Sequence, residues 1–186
     1  EMTLPIGESL SGTVLNELET PMPGVRIRAQ STTSNATRDG WTDSDGQFFI
    51  GGLEPNEEWW LQAAISGYPV QWWGGTVEQS DSLPISPPDS PDVAPWILIE
   101  GITVTGKVSS PYGAVENASV RVYSNGQVIQ STTNATGHYT ANGVPTGDMT
   151  AWAAADGLAV TYLGDSDRPD EFIALTENGA TENAVD

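Results

Sequence analysis

A nucleophile needs a base held against it, and the sequence has a single histidine to offer, His138. It sits between Gly137 and Tyr139 at a hairpin, where it reads as a solvent-facing turn residue. Cysteine is absent, which removes thiolate nucleophiles, disulfides and thiolate metal sites together. Carboxylates are plentiful, and paired carboxylates can work as acid and base on a glycosidic bond. Such a pair needs a cleft, and nothing in the chain reads as one, so no catalytic residue is expected.

Hard oxygen ligands suit a calcium ion better. Asp43-Ser44-Asp45-Gly46 sets two carboxylates and a glycine in one tight turn, and Asp165-Ser166-Asp167-Arg168-Pro169-Asp170-Glu171 is a second acidic loop. Asp43, Asp45, Asp165 and Asp167 are therefore the candidate Ca²⁺ ligands. The alternative is that Asx residues and glycine build such turns unaided. The Glu at position twelve that completes an EF-hand is absent.

Seven tryptophans supply another chemistry, since indole faces stack on sugar rings. Neighbours along a strand point to opposite faces. Trp59-Trp60 then turns one ring inward and one outward, as does Trp72-Trp73 if it is extended. Trp41, Trp60, Trp72, Trp73 and Trp152 are the candidates for a polysaccharide-binding face or for an interface, where aromatics are enriched. Three Asn-x-Ser/Thr sequons mark Asn35, Asn117 and Asn134 as candidate N-glycosylation sites, all in expected turns or strand edges.

What must position these groups is a repeated unit. Leu10-Ser-Gly-Thr-Val14 is answered by Val104-Thr-Gly-Lys-Val108, and Pro23-Gly-Val-Arg-Ile27 by Ala118-Ser-Val-Arg-Val122. Thr42-Asp-Ser-Asp-Gly-Gln-Phe48 is matched by Thr133-Asn-Ala-Thr-Gly-His-Tyr139, and Gly67-Tyr68 through Gly74 by Gly157-Leu158 through Gly164. The offset drifts only from 94 residues (Gly12 to Gly106) to 90 (Gly74 to Gly164). The chain is a tandem duplication.

Each copy reads as β. Val25, Ile27 and Ala29 alternate with Arg26, Arg28 and Gln30, the period of a half-buried strand. Trp59, Leu61 and Ala63 form a second inward set, and Met149, Ala151 and Ala153 keep its register. Trp60 and Trp152 then point outward, with Trp41 near a turn. With 20 Gly and 13 Pro as punctuation, two seven-stranded-type sandwiches are expected, residues 1–92 and 93–186. The Pro-rich stretch Pro84–Pro91 is expected to stiffen the join.

The charge balance narrows the partners. Twenty-five acids against six Lys and Arg give a formal net charge of −19. Such a surface repels nucleic acid and anionic membranes, which are bound through clustered cations. No apolar run approaches ~20 residues, so no helical membrane span is expected.

The landmarks Gly12-Thr-Val14, Gly24-Val-Arg-Ile27, Asp45-Gly-Gln-Phe48 and Gly67-Tyr68, with their second-copy counterparts, resemble the carboxypeptidase regulatory-like domain. That family has a transthyretin-like (prealbumin-like) β-sandwich, of the immunoglobulin-like type, and is similar to Cna B-type surface-protein repeats. The resemblance implies a non-catalytic spacer, adhesion or assembly module of an extracellular or cell-surface protein. Some Cna B-type relatives carry a Lys–Asn isopeptide bond in the core. Lys107 is the only lysine here and Thr13 holds its place in copy one, so such a bond in both copies is excluded.

Trp96-Ile-Leu-Ile-Glu-Gly101 also resembles Met2-Thr-Leu-Pro-Ile-Gly7. The C-terminus of one copy followed by the N-terminus of another nearly recreates the internal linker. Two readings follow: the chain is two units of a longer array, or copies join end to end into a filament. In the second, a strand bearing Met2, Leu4 and Ile6 is donated to a neighbour's open sheet edge. Expected partners are copies of the chain or flanking domains, and polysaccharide under the rival reading. No cofactor is expected apart from the candidate Ca²⁺.

Overall fold

The computed structural model describes residues 6–87, 92–162 and 173–175. The chain divides into two compact units, Glu1–Glu100 and Gly101–Asp186. Both are all-β, with a single 3₁₀ turn at Gln79–Asp81 among the described residues. No helix among them is long and apolar enough to cross a membrane.

The described strands of the first unit form a seven-stranded sandwich. One sheet has the order β4 (Gln47–Leu53), β1 (Glu8–Asn16), β7 (Asp92–Leu98). The other has the order β3 (Thr37–Trp41), β2 (Arg26–Ser31), β5 (Trp59–Ala64), β6 (Gln71–Trp72). The expected alternation is what closes it. Ile27 and Ala29 of β2, and Trp59, Leu61 and Ala63 of β5, turn inward onto Leu10, Val14, Phe48 and Ile50 of the facing sheet. Burying such side chains supplies most of the drive to fold, about 1.5–3 kcal/mol for each large aliphatic one.

β7 corrects the expected boundary. It begins at residue 92 and runs beyond it, yet pairs in parallel with β1, Gly12 opposite Val93 and Val14 opposite Trp96. Val93, Trp96 and Leu98 are buried in the first core, so that unit runs on to Glu100. Ile85 bridges to Trp59 as well. The start of the Pro-rich stretch therefore belongs to the first unit, and does not link the two.

The second unit pairs β8 (Ile102–Lys107) with β13 (His138–Val144) in one sheet. Its other sheet runs β12 (Gln127–Thr132), β11 (Ser119–Ser124), β14 (Gly147–Ala154), β15 (Thr161–Tyr162), and β16 (Ile173–Leu175) also pairs with β14. A small hairpin, β9 (Ser109–Ser110) with β10 (Gly113–Ala114), completes the described strands. Met149, Ala151 and Ala153 are buried with Val104, Val120, Val122 and Tyr139, as the alternation predicts.

The duplication holds at the level of single hydrogen bonds. In the first unit the buried Thr42 hydroxyl accepts the Val25 N–H at 2.8 Å and donates to the Met22 carbonyl at 2.6 Å. Thr133 does the same for Ala118 and Val115, at 2.8 and 2.7 Å. Gly46 and Gly137 both have positive φ, 72° and 82°. A Cβ on either would stand 2.5 Å from a carbonyl oxygen, that of Val14 or Val108. Only glycine fits.

These bonds also correct the repeat alignment at one strand. Val25 corresponds to Ala118 and Arg28 to Arg121, two residues away from the match of Val25 with Val120. A slip of two preserves which face each residue occupies, so the sequence pattern alone did not expose it.

Candidate functional site

Three of the singled-out indoles share one surface, the outer face of the first unit's four-stranded sheet. Pairing sets Trp41, Arg26 and Ala64 in one row and Asp39, Arg28, Gln62 and Trp72 in the next. Thr37, Gln30 and Trp60 make the third row. Trp41 is 61% exposed, whereas Trp60 and Trp72 are half-buried. Neighbouring strands lie about 4.8 Å apart, so the rings flank a central strip of guanidinium and amide groups. Flat aromatic surface beside fixed hydrogen-bond donors is what a sugar ring requires.

That strip is ordered by an ion pair the sequence did not announce. Arg28 Nε and Nη2 donate to the two Asp39 carboxylate oxygens at 2.8 and 2.9 Å. The hydrogen bonds from Arg28 hold the Asp39 carboxyl below the usual carboxylate range, and the same bonds raise the Arg28 guanidinium. The signal becomes readable only once β2 and β3 are in register.

Trp73 leaves this surface. β6 ends at Trp72, and the Trp73 ring turns back onto the first core, edge-on to Trp96 with centroids 5.5 Å apart and planes at 89°. Beside it Gln71 is buried. Its amide donates to the Ile99 carbonyl at 2.8 Å, and its carbonyl accepts the Ile99 N–H at 3.0 Å. The inward position of the Trp72-Trp73 pair is thus taken by Gln71. A buried polar residue tolerates that place because both ends of its amide are bonded.

Trp152 lies on the equivalent outer face of the second unit, paired with Arg121 and Tyr162. The Arg121 guanidinium sits 4.9 Å over the indole centroid, and the indole N–H donates to the Tyr123 hydroxyl at 3.2 Å. The cation thus lies against one face of the indole.

The acidic turn has its own explanation. Asp43 Oδ1 accepts the N–H groups of Asp45 and Gln47, both at 2.9 Å. Asn134 Oδ1 makes the same two bonds to Thr136 and His138, at 2.9 and 3.1 Å. The turn is therefore built around an Asx oxygen, charged in one copy and neutral in the other. Among the described residues no three His, Cys, Asp or Glu side chains converge as a metal site would need. Asp165 and Asp167 lie outside the described residues.

His138 is exposed, its Nδ1 3.0 Å from the Thr136 hydroxyl within that same turn. Asn35, Asn117 and Asn134 are all exposed. Asn134 Oδ1 already accepts three donors, the Thr136 hydroxyl included. Of the candidate donated strand, Met2 and Leu4 lie outside the described residues and Ile6 is 91% exposed.

Residues 9–86 match the carboxypeptidase regulatory-like domain, which bears out the resemblance over the first copy. Solved structures similar to the chain include a streptococcal ancillary pilin, 13% identical with a TM-score of 0.43, covering 98% of this chain and 63% of that one. A minor pilin of Streptococcus agalactiae is 11% identical with a TM-score of 0.39, covering 95% of each. The shaft pilin SpaA of Lactobacillus rhamnosus GG is 11% identical with a TM-score of 0.38, covering 96% of this chain and 97% of that one. The chain thus spans less than two thirds of the first of these. No curated protein sequence matches it.

Proposed function

We propose that the chain is a non-catalytic structural module of an extracellular or cell-surface assembly, whose copies or neighbouring domains join end to end. One observation carries this: what the two copies share is scaffold. The buried threonine, the glycine under a carbonyl and the Asx-built turn recur bond for bond. The groups able to do chemistry do not recur. Gln47 stands where the second copy has His138, Asp43 where it has Asn134, and Gln62 where it has Trp152. A module repeated for its shape suits an array or a head-to-tail filament, with Met2, Leu4 and Ile6 on the strand that joins copies. Light scattering and negative-stain microscopy over rising concentration test it. Particle mass should grow with concentration; monodisperse monomers at high concentration would remove the filament reading.

A second reading has one observation in its favour, the gathering of Trp41, Trp60 and Trp72 on one sheet face beside Arg26 and Gln62. It makes that face a polysaccharide-binding surface. Titration with neutral and acidic polysaccharides should then quench or shift tryptophan fluorescence, and Trp41→Ala should abolish most of the change. An unmoved spectrum sinks this reading and leaves the first intact.

A further inference from the structure

The outer face of the first unit's four-stranded sheet is set apart by its charge. Of the chain's 25 acidic residues, only Asp39 stands at the outward positions of β2, β3, β5 and β6. Both of its carboxylate oxygens are taken by Arg28. The other cation on these strands, Arg26, has no hydrogen bond or ion pair with any described residue. Two guanidiniums against one carboxylate leave this face with a positive surplus, on a chain whose formal net charge is −19.

The free guanidinium is not a by-product of the repeated scaffold. Arg26 lies opposite Trp41 on one side and Ala64 on the other. At the equivalent places the second unit pairs Ser119 with Thr132 and Ala154. The alanine is kept, whereas the guanidinium and the indole are not, so the sandwich folds without them. Ala64 raises no more than a methyl group beside Arg26, and Trp41 on its other flank is 61% exposed.

We infer that this face binds an acidic polysaccharide, whose uronate carboxylates pair with Arg26 while its sugar rings lie on Trp41, Trp60 and Trp72. The inference rests on the polysaccharide reading and adds the class of polymer. The planar fork of a guanidinium matches a carboxylate with two parallel hydrogen bonds. Cross-strand neighbours stand about 5 Å apart, so a ring stacked on Trp41 brings its carboxylate within reach of Arg26. Trp41 and Trp72 are three strand spacings apart, about 14 Å, so a ligand that meets both is extended. A protein partner fits the pattern less well. Protein interfaces gather their aromatic anchors into one desolvated centre, whereas here the three indoles stand at separate corners with guanidinium and amide groups between them. The acidic remainder of the chain opposes an acidic polymer only at long range, which ~0.15 M salt screens beyond ~8 Å.

The test is tryptophan fluorescence of the full chain at that salt, with chelator present so that calcium cannot bridge acid to acid. Polygalacturonate and alginate should each bind about 10-fold or more tighter than their carboxyl-reduced forms, the worth of one charge-assisted hydrogen bond. Arg26→Gln should erase that preference while its far-ultraviolet β signal stays, and Arg26→Lys should restore part of it. Trp41→Ala should weaken acidic and reduced polymers alike. Equal binding of acidic and reduced forms, or a preference that survives Arg26→Gln, would overturn the acidic class and spare the polysaccharide reading. Polyglutamate competing as well as the uronates would show a site for acidic protein and overturn both. So would a fall in light-scattering mass of the polymer-free chain on Trp41→Ala, which would make the face an interface between copies. No response to any polymer would likewise overturn both.

Discussion

Residue by residue, the two copies differ where a single atom has consequences. Phe48 lies opposite Gly12, and Tyr139 lies opposite Gly106 in the same way. The tyrosine places a hydroxyl in the second core, buried and without a hydrogen-bond partner, and burial raises its pKa above the ordinary value of 10.0. The folded state therefore holds its proton longer than the unfolded chain. The fold accommodates the neutral phenol better than the ionised one, so stability is level below about pH 10 and falls as the pH climbs toward the folded-state value. Tyr139→Phe, which installs the residue of the first copy, should raise stability by about 1–3 kcal/mol, the cost of an unpaired buried polar group. It should also flatten the loss of stability in alkali, as urea unfolding at pH 8 and pH 11 would read out.

The Asx turn gives a second test. Asp43→Asn keeps the oxygen that accepts both amides, as Asn134 does, and should leave stability unchanged. Asp43→Ala removes it and should cost about 1 kcal/mol. Thermal melts of both variants with calcium and with chelator would also reveal any metal. A bound ion should raise the melting point of the unsubstituted protein more than that of the Asp43→Asn variant.

Among the elements, β7 matters most to the first unit. Local pattern built the hairpins correctly, since alternation in β2, β5 and β14 says which side chains go inward without reference to a partner. β7 pairs with a strand some eighty residues earlier, and no local pattern encodes that choice. Trp96 is 2% exposed and packs on Trp73. Trp96→Ala should therefore cost about 3–5 kcal/mol, the range for an aromatic deleted from a core. Denaturant midpoints for the first unit would show it. The same reasoning explains Trp73: its position after a two-residue strand, next to a buried Gln71, frees it from the alternation that Trp60 obeys.

For the whole molecule, charge sets the conditions under which it is most stable. A net charge of −19 makes the chain repel itself, and exposed charges are screened within ~10 Å at 0.1 M salt and ~3 Å at 1 M. Thermal midpoints should therefore rise from ~0.01 M to ~1 M sodium chloride. A flat or falling curve would show that specific ion pairs such as Arg28–Asp39 outweigh the general repulsion.

The all-β class, the duplication and the inward set of each main strand are legible in the chain alone, because a period of two and a repeated turn are local properties. So is the choice of Trp41, Trp60 and Trp72 as indoles to watch. Folding added the rest: that those three share a face, that Arg28 meets Asp39, that Arg121 covers Trp152, and that β7 completes the first unit's three-stranded sheet. Each of these depends on which distant strands lie side by side. That choice is made by the packing of whole sheets rather than by any neighbourhood of the chain.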